Sequence, residues 1–194
     1  MGQSVLHNKS LEGCLRVLFR SLLLCLLLWP VSFQARAAIT VTDDAGRSVT
    51  LAQPAKRIVS LAPHATELLF AVGAGGQVVG VDQNSNYPPA VSAITSLGSA
   101  LQLDLERLLA LKPDLVVAWD TGNSRALLDK LESLGLTLFR SDPHRLEDIA
   151  TNLERLGRLA GTEVQARQAA LSFRQQVRQL RQRNSGKAKV RVFY

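Results

Sequence analysis

Between residues 57 and 161, short apolar runs rich in Val, Ile and Leu alternate with segments whose apolar residues recur at helical spacing. Residues 57–61 (RIVSL), 77–81 (QVVGV), 114–119 (DLVVAW) and 136–140 (LTLFR) read as strands. Residues 65–71, 105–111, 124–134 and 146–159 read as helices, three of them stopped by Gly73, Gly135 and Gly161. A strand that is apolar along its whole length must be buried on both faces, because alternate side chains of a pleat point to opposite sides. Helices between such strands provide both the crossover that parallel pairing needs and the cover for each face. The order therefore predicts an α/β fold, a parallel sheet flanked by helices. Ahead of it, residues 39–51 (ITVTDDAGRSVTL) set β-formers on either side of an Asp-Asp-Ala-Gly turn and predict a hairpin decorating the sheet edge.

The flanking segments obey different rules. Residues 163–183 hold neither Gly nor Pro, and Val164, Ala170 or Leu171, Phe173 or Val177, and Leu180 recur at helical spacing. They predict a helix about 30 Å long. A polar break at 184–187 follows, then 190–194 (VRVFY), which reads as another core strand. One strand after a long helix has nothing of its own to pair with, so the expected organisation continues into a second lobe that is truncated here. At the other end Lys9, Arg16 and Arg20 precede an apolar run, 22–33, and then Ala35-Arg36-Ala37. Basic region, short apolar region and small-x-small site are the signature of a secretory leader. The run is shorter than the roughly 20 residues a spanning helix needs. The expectation is cleavage before Ala38, a periplasmic location and no membrane insertion afterwards. The predicted domains are a signal peptide (1–37), an α/β lobe (38–162), a long helix with its break (163–187) and the first strand of a second lobe (188–194).

Cys14 and Cys25 both precede the expected cut. The mature chain then has no cysteine, which excludes disulfides, thiolate metal sites and a cysteine nucleophile. The net charge of +7 is unevenly spread. Residues 163–191 hold eight basic residues and one acidic, whereas residues 38–162 hold 11 basic against 14 acidic. A nucleic-acid reader needs its basic residues on the folded reading surface, and here they crowd onto one helix. No nucleic-acid partner is expected.

In open α/β sheets, ligands bind beyond the carboxyl ends of the strands. Four segments fall there: Ala62-Pro63-His64, residues 82–89 (DQNSNYPP), residues 97–100 and residues 120–123 (DTGN). None supplies paired carboxylates or a nucleophile beside a base, and Ser60 lies in no G-x-S-x-G elbow, so catalysis and a resident cofactor are not expected. His64 could ligate a metal or simply face solvent at a helix start. His144 stands alone in a polar loop, so no histidine cluster supports zinc. Tyr87, before two prolines, is either a ring offered to a ligand or part of a stiffened surface loop. Trp119, at a strand end, is either core or an indole wall for a flat ligand. Glu106 reads as a solvated surface acid.

Four strings, SLAPHATELLFAVG (60–73), VVGVDQNSNYPP (78–89), LDLERLLALKPDLVVAW (103–119) and Gly122-Asn123, resemble the cobalamin-binding periplasmic proteins of ABC importers. These belong to a wider group that binds cobalamin, haem and ferric siderophores. The resemblance runs from about Ile39 to Tyr194. It implies two α/β lobes joined by one long helix, with the ligand held between them. It matches Pro63, Tyr87 and Trp119 to residues lining the cleft, with His64 beside them, and Gly122-Asn123 to the adjoining loop. Glu106 matches the acidic knob that docks onto the importer permease. Asn84 and Ala100 depart from the pattern, standing where cobalamin binders place aromatic rings. The implied function is capture of cobalamin by a monomer for import. The alternatives are capture of haem or a ferric siderophore, or a lone lobe serving only as a docking module.

Overall fold

The computed structural model describes residues 37–99, 102–188 and 191. The leader up to Arg36, with Cys14 and Cys25, lies outside the described residues, as do Ala100 and most of the expected strand at 190–194.

Two strands, β1 (Ile39–Thr42) and β2 (Ser48–Leu51), form the antiparallel hairpin. The main sheet contains β3 (Ile58–Ser60), β4 (Val78–Val81), β5 (Thr95–Ser96), β8 (Leu115–Trp119) and β9 (Leu138–Ser141) in the order β5-β4-β3-β8-β9. Every neighbouring pair is parallel. A small antiparallel ladder pairs β6 (Gly98–Ser99) with β7 (Gln102–Leu103). The helices are α1 (Pro63–Ala71), α2 (Leu105–Ala110), α3 (Arg125–Ser133), α4 (Leu146–Ala160) and α5 (Glu163–Asn184).

The strands are buried on both sides, as their unbroken apolar runs require. Ile58, Leu115, Val117 and Phe139 face one core with α1, α4 and α5. Val59, Val116, Ala118 and Leu138 face the other, where Leu108 of α2 and Leu128 and Leu131 of α3 close over them. Chain direction explains the division. From β3 the chain steps to β4 with α1 on one face, and from β8 it steps the opposite way to β9 with α3 on the other. Right-handed crossovers running in opposite directions must lie on opposite faces.

Local chemistry sets the helix ends. Asp104 caps α2 by accepting from Arg107 N at 2.9 Å, and Ser124 caps α3 by accepting from Leu127 N at 3.2 Å. Between α4 and α5 the chain turns at Gly161, whose φ of 72° is left-handed. The two helices then pack so closely that a Cβ on Gly157 would stand 2.1 Å from the Cβ of Ala166. Arg174 of α5 pairs with both Glu147 and Glu154 of α4, at 2.6 and 2.5 Å.

The sequence assigned no element to Thr95 and Ser96, two exposed residues without periodicity that form β5, nor to β6 and β7, the first of which lies within the segment 97–100. The hairpin forms a sheet of its own, and its turn braces β9: Asp43 accepts from Arg140 N at 3.3 Å, and Asp44 N donates to Arg140 O at 3.0 Å.

Candidate functional site

The parallel sheet delivers four loops to one end: 61–64 after β3, 82–89 after β4, 120–124 after β8 and 142–145 after β9. Strand order reverses between β3 and β8, so the loops there diverge and leave a crevice. His64 is the second residue of α1, which follows β3, and Trp119 is the last of β8. They meet edge to face, ring centroids 5.6 Å apart and planes at 82°.

Each loop is tied down from below. Thr66 Oγ1 lies 2.8 Å from both Ser60 Oγ and Ser85 Oγ, and Ser85 Oγ donates to Asp82 Oδ1 at 2.5 Å. This buried chain fastens the loop carrying Tyr87 to α1. In the next loop, Asn123 is buried; its Oδ1 accepts from Trp119 N at 2.7 Å and its Nδ2 donates to Leu61 O at 3.3 Å. Asp120 holds Arg140 Nη1 at 3.1 Å, and Glu132 holds Nη2 at 2.8 Å, so a buried guanidinium braces the same loop. Trp119 lies directly over Gly122, where a Cβ would stand 2.0 Å from the indole. The indole Nε1 donates to Asp142 Oδ1 at 3.0 Å, and Thr121 Oγ1 donates to the same oxygen at 2.9 Å.

Beside His64 opens an apolar groove of about 610 Å³, walled by Leu68, Tyr87, Pro88, Ile149, Leu153 and Phe173 among others. It runs between α1, α4 and α5, with His64, Tyr87 and Pro88 at its sheet end. That volume falls in the range of small-molecule sites. Tyr87 and Trp119 are exposed large hydrophobics, 61% and 41% accessible. Exposed rings held by buried polar networks are the kind of surface that binds a flat apolar ligand.

Of the residues singled out from sequence, His64 and Trp119 are in contact, and His64 and Tyr87 line the same groove. Pro63 sits half-buried at the first position of α1. Asn123 points inward and supports the loop, and Gly122 makes room for the indole. Glu106 is elsewhere, exposed on the first turn of α2, which covers the opposite sheet face from the groove. The fourth loop was missed. Ser141, Asp142 and Pro143 follow a strand that the sequence did reveal, so the carboxyl-end rule could have found them. Ile149, Leu153 and Phe173 carry no such signal, because a groove-lining apolar residue on a helix looks like core.

His64 Nε2 lies 3.1 Å from Ser141 Oγ. Burial holds its imidazole below the ordinary value of 6.5, against the raising pull of the Asp142, Asp44, Glu67 and Asp82 carboxylates. At neutral pH the ring is uncharged. Among the described residues no group of three or more His, Cys, Asp and Glu side chains is gathered to hold a metal ion. Nor is any described helix long and apolar enough to cross a membrane.

The sequence model of the periplasmic binding protein family matches residues 58–194. The chain is 38% identical over 148 residues to a vitamin B12-binding protein of Vibrio parahaemolyticus, covering 76% of this chain and 54% of that one. It superposes on the crystal structure of a periplasmic vitamin B12 binding protein of Vibrio cholerae with a TM-score of 0.68 and 38% identity, over 71% of this chain and 54% of that one. A periplasmic heme binding protein of Pseudomonas aeruginosa matches with a TM-score of 0.61 and 31% identity, over 69% and 50% of the two chains. The chain spans about half the length of the curated relatives it matches.

Proposed function

The chain belongs to the periplasmic binding protein family, and from that premise we propose that it captures cobalamin in the periplasm and presents it to the permease of an ABC importer. The observation that carries the reading is the placement of His64, Tyr87 and Trp119 together at the carboxyl end of the sheet, in a chain 38% identical to a vitamin B12-binding protein. The protein performs no reaction and needs no cofactor of its own. Affinity comes from enclosing a large, rigid ligand against aromatic and apolar walls, with polar groups at the rim fixing its orientation. Residues 38–162 form the first lobe, 163–187 the connecting helix and its break, and 188–194 lead into a second lobe that closes the cleft. Residues 1–37 are the leader that exports it. Pro63 and Tyr87 line the cleft on one side and Trp119 on the other, while Gly122 and Asn123 shape the loop under the indole. Glu106 docks on the permease.

The matched heme binding protein makes haem the competing ligand, and one measurement separates the two. Trp29 lies in the leader, so Trp119 is the single tryptophan of residues 38–194, and its fluorescence reports directly on the site. Titration with cyanocobalamin should quench it saturably at a lower concentration than titration with hemin does. Tighter quenching by hemin transfers the function to haem, and quenching by neither overturns the proposal.

A further inference from the structure

A chain of polar side chains runs behind His64. It begins at Asp44, whose Oδ1 accepts from Arg155 Nη1 at 2.9 Å and whose Oδ2 accepts from Asp142 N at 2.7 Å and Asn152 Nδ2 at 2.6 Å. An ionised carboxylate only accepts, so the atom of Asn152 beside it must be the amide nitrogen. The orientation of that amide is thereby fixed, which accounts for the buried Asn152 Oδ1 lacking a partner among the described residues: turning it over would set two acceptors against each other. The Asn152 nitrogen also lies 3.3 Å from Ser141 Oγ, to which its second proton is given.

Ser141 is fully buried, so its own hydroxyl proton needs a protein acceptor. Within reach among the described residues is one that is not already donating to it, His64 Nε2 at 3.1 Å. Nε2 is then an acceptor with its lone pair turned inward, and the ring proton sits on Nδ1. Nδ1 has no hydrogen-bond partner among the described residues and is not one of the buried unpaired atoms, so its N–H is open to a partner from outside, on a residue that lines the groove.

We propose that Asp44, Asn152 and Ser141 form a relay that holds His64 as an uncharged Nδ1–H donor at the groove, and that this donor reads a neutral carbonyl oxygen on the ligand's rim. The second half rests on the cobalamin reading. The surroundings favour a neutral acceptor. The Asp142, Asp44, Glu67 and Asp82 carboxylates all act electrostatically on the imidazole; Arg155 compensates Asp44, and His144 Nε2 stands 3.1 Å from Asp142. A rim of amides, such as cobalamin carries, accepts the Nδ1–H without meeting these carboxylates as like charges. The propionates of haem do meet them.

The test begins with the ligand-free protein. Long-range ¹⁵N–¹H spectra of the histidine-labelled chain at pH 7.5, assigned with His64→Gln, should show His64 protonated at Nδ1 and bare at Nε2. An Nε2–H form, an even mixture or an imidazolium overturns the relay. Ser141→Ala should shift His64 toward Nε2–H and Ser141→Thr should restore Nδ1–H; a side chain that merely packs there would leave the tautomer alone in both. Cyanocobalamin should then move the Nδ1–H proton downfield, and His64→Phe should weaken its binding roughly 3- to 10-fold, the equivalent of one hydrogen bond. Binding that leaves that proton and the His64→Phe affinity unchanged overturns the donor role alone. No binding of cyanocobalamin at all overturns the donor role together with the cobalamin reading, and the tautomer result then stands apart from both.

Discussion

The His64 imidazole stands at 82° to the Trp119 indole with ring centroids 5.6 Å apart; His64 lies on the helix that follows β3 and Trp119 ends β8, neighbouring strands whose crossovers run in opposite directions. That is the place in an open parallel sheet where two loops part and a ligand can enter. The contact spans the divide at its floor. His64 also belongs to the apolar groove on one side, so it links the indole to the wall formed by α1, α4 and α5.

Gly122 offers the most selective way to disturb this arrangement. It is exposed, and a Cβ added there would lie 2.0 Å from Trp119 Cε3. Gly122→Ala must push the indole off its seat while leaving the core untouched. Cyanocobalamin affinity should fall about tenfold, or about 1.4 kcal/mol, with the urea midpoint nearly unchanged. An unaltered titration curve would show that the position of the indole does not matter to binding.

His64 also makes stability depend on pH. Its folded value is depressed from 6.5 by burial, so the unfolded state takes up the proton first as pH falls. The contribution is fully present above 6.5 and is lost progressively as pH falls below it toward the folded value. The carboxylates depressed by arginine partners, Glu132 by Arg47 and Asp148 by Arg145 among them, add the same sign of dependence only at lower pH, near and below their ordinary values. Urea midpoints taken at pH 7.5 and 5.5 should drop for the wild type, and His64→Gln should flatten much of that drop. A His64→Gln protein with the full wild-type slope would place the titrating group elsewhere.

Much of this could be read from the sequence, and the boundary is physical. The strand apolar on both faces, 114–119, told of a sheet covered twice, and Gly73, Gly135 and Gly161 marked helix ends because a left-handed turn is local chemistry. Strand β5 escaped because it is two exposed residues long and is defined only by its pairing to Gly80 and Val81. At the candidate site, Trp119 could be singled out by its place at a strand end and Tyr87 by the two prolines after it. Asp44 and Asn152 were not: they lie 108 residues apart and meet at 2.6 Å only because the hairpin turn folds against α4. No spacing rule could have joined them.

Close packing of α4 on α5 depends on Gly157. A Cβ there would meet the Ala166 Cβ at 2.1 Å, well inside contact distance. In an isolated helix Gly→Ala gains up to about 1 kcal/mol; here the helices must separate, and overpacking of this kind costs about 1 to 3 kcal/mol. Gly157→Ala should lower stability, and Ala166→Gly placed on top should recover part of the loss. A more stable Gly157→Ala protein by urea denaturation would mean the interface yields easily.

The last prediction separates docking from capture. Glu106 is exposed on α2, whose Leu108 is buried in the core on the sheet face opposite the groove. No described residue pairs with it, whereas its neighbours Asp104 and Arg107 pair with each other at 3.6 Å. A carboxylate held on a short capped helix and left unengaged is available to a cationic partner. If it meets the permease, Glu106→Ala should leave cyanocobalamin quenching of Trp119 unchanged and weaken association with the detergent-solubilised permease by about 1 to 3 kcal/mol, toward the lower end of what interfacial charge pairs contribute. Trp119→Ala should do the reverse, because it removes a ring from the cleft and leaves α2 as it was; with the reporter gone, its ligand affinity is read from equilibrium dialysis. Two affinities for each variant fill the comparison. Loss of ligand binding in both variants would place Glu106 in the service of the cleft, and the docking role would then have to be given up.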